Sequence, residues 1–135
     1  MAEQELWTEL LKQLQTRYQA VNEVFRITKE IADILSRDDR VAAQMLLEMR
    51  QEELDRLAKS EEKIYMLLEC AGHQERADIL SLMKGERQAS GKASFEEKKI
   101  GEIGENIRRN LEKVLELDRI ISVRLAGKDS FYKQP

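Results

Sequence analysis

The chain has 135 residues, of which 36% are charged and 41% hydrophobic, and its one proline is the last residue, Pro135. That is the composition of long helices or a coiled coil, and the length suits a single domain with a core of its own. A formal net charge of −3 lacks the basic face that a phosphate backbone rewards, so no nucleic-acid partner is expected.

In chain order, the start MAEQELWTELLKQ is acidic and amphipathic, without a basic segment leading into an apolar run, and so does not read as a signal peptide. A first long helix is expected over about residues 3–36. Trp7, Leu11, Leu14, Tyr18, Val21, Phe25, Thr28, Ala32 and Leu35 keep heptad spacing, and Leu10, Val24, Ile27, Ile31 and Ile34 widen the stripe on one flank. A stripe of that width suits a helix touching two neighbours rather than one. The Ser36-Arg37-Asp38-Asp39 stretch breaks the pattern and predicts a tight turn, with Asp38 or Asp39 as the N-cap of the next helix.

The stretch from Arg40 to Leu68 contains neither Gly nor Pro. It predicts a second helix, over about residues 39–71, that organises the chain. Ala43, Leu47, Leu54, Leu57, Ile64 and Leu68 share one heptad seam, and Arg50 and Glu61 interrupt it with charge. Such polar seam residues read as register specifiers with their head groups reaching water. Met45, Met49 and Met66 read as soft core filling or as a surface that repacks around partners. The single cysteine, Cys70, reads as a small buried hydrophobe near the helix end, with Gly72 closing that helix.

Residues 73–84 predict a short amphipathic helix, either capping one end of the bundle or continuing the second helix past a kink. Residues 85–93 are polar, contain Gly85 and Gly91, and predict a mobile linker. Ser94 and Glu97 form a capping box that opens the last long helix, over about residues 95–126, with Gly127 as its C′ residue and a tail over 127–135 holding Phe131 and Tyr132. Ile100, Ile103, Ile107, Val114, Leu117 and Ile121 keep the seam, and Asn110 takes one position in it. Gly101 and Gly104 each cost about 1 kcal/mol against Ala in a helix interior. They permit close approach of another helix or mark fraying near this N-terminus, the second being the preferred reading. The fold class is therefore all-α: an elongated antiparallel bundle of three long helices with one short extra helix.

No catalytic or cofactor signature accompanies this scaffold. Gly-rich phosphate loops, HExxH and CxxC motifs are lacking, His73 is the only histidine, and no Glu-x-x-His pair is present to build a carboxylate-bridged metal site. The chain is thus expected not to be an enzyme and to need no cofactor or metal. No segment approaches the roughly 18 apolar residues of a membrane span, so a cytoplasmic protein with no membrane partner is expected.

The stretch IADILSRDDRVAAQMLLEMRQEELDRL resembles the flagellar export chaperones of the FlgN and FliT type. The shared pattern is a helix ending in a short acidic turn, then Leu-Leu-Glu, the Arg50-Gln51 pair and an amphipathic run into Leu54 and Leu57. The segment IRRNLEKVLELDRIIS is also similar to their final helix. The resemblance implies a cytoplasmic helical chaperone that binds the amphipathic C-terminal helix of a flagellar hook-associated or filament protein and delivers it to the type III export apparatus. Helix-in-groove recognition would place the partner on an apolar strip of the last helix, at Leu111, Val114, Leu115, Ile121 and Leu125. The alternative is a coiled-coil scaffold, oligomerisation or regulatory module, and the long apolar stripes would also suit a homodimer.

Overall fold

The computed structural model describes the backbone of residues 1–133 and the side-chain environments of residues 1–124. It has four helices: α1 (Glu3–Leu35), α2 (Arg40–Leu68), α3 (His73–Met83) and α4 (Phe95–Lys133). Together they take up 83% of the chain, and no strand occurs among the described residues. The three long helices run up, down and up, so α1 and α4 are parallel to each other and α2 is antiparallel to both. Paired contacts fix this sense: Asn22 and then Ala32 of α1 meet Asn110 and then Arg124 of α4, while Arg17 and then Gln19 of α1 meet Glu61 and then Arg56 of α2.

The α1 stripe is as wide as its sequence requires. Trp7, Leu10, Leu14, Val21, Val24, Ile27, Thr28 and Ile31 are all buried, and Tyr18 and Phe25 are half-buried at the margins. Helix α1 packs lengthwise on α2 along one side and on α4 along the other. Helices α2 and α4 share no comparable interface, and their backbones stay apart along most of their length. The molecule is therefore a central helix flanked by two others, not a closed triangle.

Two hydrophobic clusters lie along this axis. The larger joins Leu6, Trp7, Leu10 and Leu14 to Ile64 and Leu68 of α2, Ile79 and Leu82 of α3 and Ile100 and Ile107 of α4. The smaller, near the α1–α2 turn, gathers Ile27, Ile31, Leu46 and Ile121. In α2 the buried set is Ala43, Leu46, Ser60, Ile64 and Leu68, so Leu46 rather than Leu47 faces inward, and Leu47 is exposed. Ser60 stays satisfied by donating to the Leu57 carbonyl, as buried Thr28 does to that of Val24. Met45, Met49 and Met66 stand at the surface, which removes the core-filling reading. Cys70 is exposed as well.

The turns use the polar residues the sequence offers. Asp38 takes a left-handed backbone, φ 57°, which Asp tolerates better than most side chains. Asp39 is the N-cap of α2, accepting from the Ala42 N–H at 3.0 Å. Gly72 does not close α2. That helix ends at Leu68 in a tightened turn, and Gly72, with extended backbone, is the N-cap of α3. At α4, Ser94 accepts from the Glu97 N–H, the backbone half of a capping box. Gly127 does not end α4, which continues to Lys133. One interior glycine costs only about 1 kcal/mol, and no proline follows it before residue 135.

Helix α3 is separate from α2 and packs on α4. Here Gly104 decides the geometry. A Cβ at that position would run into the Met83 and Leu82 carbonyl oxygens, and Gly85, at φ +71°, lies against the Glu105 and Gly104 backbone. The two glycines allow the end of α3 to touch α4 backbone to backbone, so close approach and not fraying accounts for Gly104. The 85–93 segment, expected to be mobile, is tied down. Ala89 packs against the larger cluster, and Arg87 donates to the Asp78 carbonyl at 2.8 Å and to the Ser81 hydroxyl at 2.9 Å.

Gly101→Ala and Gly104→Ala should therefore differ. At 101 the added methyl meets chiefly the flexible end of Leu82, and the gain in helix propensity of about 1 kcal/mol offsets the crowding. At 104 it meets fixed carbonyls, and we expect a loss of about 1–3 kcal/mol in urea unfolding. Equal stabilities for the two variants would contradict the α3–α4 contact described here.

Candidate functional site: a cleft between the outer helices

Because α2 and α4 stand apart, polar side chains bridge the space between them. Arg50 of α2 donates a bidentate pair of hydrogen bonds to Asp118 of α4, at 2.8 and 2.7 Å. Both side chains are largely covered, the arginine more than the carboxylate. A planar guanidinium meeting a carboxylate in this way fixes distance and register together. Asn110 donates to Asn22 at 2.6 Å and holds the α1–α4 register in the same manner. Two of the three polar seam residues thus specify register. The third, Glu61, is more exposed and lies 3.9 Å from Arg17 of α1.

Between the Arg50–Asp118 bridge and the α3–α4 contact, one flank of α4 beside its α1 interface lines a cleft of about 220 Å³. Ile107, Leu111 and Leu115 form its apolar wall, Met83 and Lys84 close the α3 end, and Arg17 reaches in from α1. No described α2 residue lines this cleft; Arg17, which does, is also ion-paired with Glu61 of α2 at 3.9 Å. From Gly104 to Leu115 the cleft runs about three helical turns, roughly 16 Å. A second groove, of about 530 Å³, lies on the other flank of α4 between Phe25, Lys29, Lys113 and Leu117. Lys29 covers the Phe25 ring there, 4.3 Å from its centre.

The five residues expected to bind a partner do not form one surface. Val114 is 4% exposed and Ile121 8%, and Ile121 belongs to the smaller core cluster, so both serve the interior. Their heptad positions point at α1, which already occupies them. Leu111 is half-buried at the cleft wall, and Leu115, 66% exposed, stands at its lip. Leu125 lies outside the described side chains. The sequence pattern alone does not single out Asp118 or Arg17. Arg17 carries a detectable signal, since it stands three residues after Leu14 and four before Val21, both buried. Asp118 looks like any surface carboxylate until its partner on α2 is known.

Other ion pairs, such as those of Arg26 with Glu23 and Glu30 and of Arg119 with Glu116, join residues three or four apart at the surface. Glu23 and Glu116 are held below the usual carboxylate range, chiefly by hydrogen bonds from the Arg26 and Arg119 side chains respectively. His73 is exposed at the first turn of α3. Among the described residues, no group of three or more His, Cys, Asp or Glu could hold a metal ion, and no helix is long and apolar enough to cross a membrane. Comparison with family models, with curated proteins and with solved structures returned no match.

The bridge across the cleft can be weighed directly. Asp118→Asn leaves Arg50, whose Nε is already buried without a hydrogen-bond partner among the described residues, facing a neutral group. We expect it to cost about 1–2 kcal/mol, reduced from a fully buried pair by the partial exposure of Asp118. Arg50→Met combined with Asp118→Asn should recover part of that loss, because no charge is left stranded. Additive losses in a denaturant-based double-mutant cycle would mean that the pair does not act as a unit.

Proposed function

We propose that this protein is a cytoplasmic, non-enzymatic export chaperone of the flagellar FlgN and FliT type. In this reading it holds the amphipathic C-terminal helix of a hook-associated or filament protein and hands it to the type III export apparatus. The observation that supports the helix-binding part is that α2 and α4 pack on α1 but not on each other, and that one flank of α4 carries an apolar cleft with Leu111 and Leu115 in its wall. The flagellar part rests on the resemblance of residues 31–57 and of the IRRNLEKVLELDRIIS segment alone.

The binding physics is helix-in-groove recognition. A client segment that would otherwise self-associate covers the open side of α1 and buries its own apolar face. Two or three large side chains, at about 1.5–3 kcal/mol each before ordering costs, suffice for micromolar affinity. No ATP or metal is required for this. A second reading has an observation of its own. Val41, Met45 and Met49 are exposed at four-residue spacing on α2 and form a stripe suited to self-association in a coiled-coil scaffold.

Titration calorimetry with C-terminal peptides of hook-associated and filament proteins from the source organism tests the proposal. Wild type should bind one such peptide at micromolar or tighter affinity. Leu115→Asp should abolish that binding, and Val123→Asp, an equally exposed change elsewhere on α4, should leave it intact. Absence of heat with every peptide, in a monodisperse folded sample, rejects the chaperone reading. If the protein also sediments as a dimer that Met45→Asp dissociates, the scaffold reading takes its place.

A further inference from the structure

The outward face of α2, opposite its buried residues, has charge sorted along its length. Glu48, Glu52 and Asp55 lie in its first half, and Lys59 and Lys63 in its second, with Glu62 at the margin; all are exposed. Glu48 with Glu52, and Lys59 with Lys63, are like charges four residues apart, which is unfavourable in an isolated helix. Glu48, Glu52, Lys59 and Lys63 make no ion pair with any described residue. Apolar side chains mark both ends of the same face. Val41 and Met45 are 74% and 61% exposed before the acidic half, and Met66 is 63% exposed after the basic half. Beside Met66 a groove of about 340 Å³ opens between α1 and α2, lined by Glu9, Gln13, Lys63 and Leu67.

We infer that this face docks on the same face of a second copy of the chain, with the two α2 helices antiparallel. Charge complementarity commits the occupant, because a face that is acidic and then basic complements itself when reversed. A two-fold axis midway between residues 55 and 56 sets Glu52 opposite Lys59 of the second copy and Glu48 opposite its Lys63. The same axis sets Met45 opposite Met66 of the second copy, at the groove beside it. The charge pairs and the methionine–groove contact are separate features, and they agree on one register. A parallel arrangement would set Glu48 and Glu52 against themselves, and like-charge opposition excludes it. The apolar ends are small, so the dimer is weak, screened by salt and dissociated at low micromolar concentration. This rests on the self-association reading above and deepens it. It is independent of the flagellar reading, whose cleft lies on α4.

The test uses the full chain. At roughly 100 micromolar and low salt, sedimentation should show a monomer–dimer equilibrium that added salt shifts toward monomer. A spin label at exposed Glu69, beside this face, in a Cys70→Ser background reads the orientation. The antiparallel dimer places the two labels roughly 40 Å apart, at 1.5 Å per residue on either side of the axis. A parallel dimer places them within roughly 20 Å. Glu48→Lys with Glu52→Lys, and separately Lys59→Glu with Lys63→Glu, should each weaken the dimer roughly tenfold or more while melting as cooperatively as wild type. Mixing those two variants should restore it. A monomer under all these conditions overturns this inference and the self-association reading together. A dimer with close labels, one that the charge changes leave intact, or variants that do not recombine would overturn the antiparallel pairing and leave self-association standing.

Discussion

The structure depends on the two-sided burial of α1. A helix whose apolar stripe covers little more than one face can satisfy a single neighbour, whereas α1 buries Leu10, Val21, Val24 and Ile27 together with Trp7 and Leu14. That width calls for two partners at once, and α2 and α4 fill the two roles. Once both are fixed to α1, they meet each other only locally, through the Arg50–Asp118 bridge and the cluster that holds Leu46 and Ile121. The buried face of α2 is narrow and interrupted by Arg50, and α4 turns Asp118 and the exposed Leu115 into the gap. The cleft therefore arises from how apolar surface is distributed among the helices.

Polar residues then set what apolar packing leaves undetermined. Parallel helices with smooth aliphatic seams can slide by a turn at small cost, and Asn22 with Asn110 removes that freedom between α1 and α4. Arg50 with Asp118 performs the same service across the gap and keeps the outer helices at a fixed separation. At the other end the glycine contact between α3 and α4 blocks the cleft and anchors the segment after α3. The cleft thus has a closely packed boundary at the α3 end and a salt-bridged one toward the α1–α2 turn.

Much of this is legible in the amino-acid sequence. Helical periodicity locates α1, α2 and α4, the Ser36–Asp39 turn and the Ser94 cap, and the width of the α1 stripe announces two neighbours. Periodicity does not say which neighbour covers a given residue. Val114 and Ile121 look like binding-strip residues by spacing, yet both are buried, and Leu47 yields its inward place to Leu46 because a three-residue and a four-residue step from Ala43 both fit a heptad pattern. Gly104 looks like a weak point in a helix until the end of α3 is seen against it. Gly127 looks like a stop, yet α4 carries it at a cost of only about 1 kcal/mol. Asp118 gains its meaning from Arg50, far away in sequence, which no local pattern reveals.

This architecture requires that α2 and α4 pack on α1 and not on each other. Spin labels at Ala58 on α2 and Glu112 on α4, both exposed, in a Cys70→Ser background, measure that gap in solution. The predicted result is a single narrow distance distribution, matching the separation in this structure and broadened by Asp118→Asn. A shorter distance, with α2 and α4 in direct side-chain contact along the cleft, would show a closed three-helix bundle and contradict it.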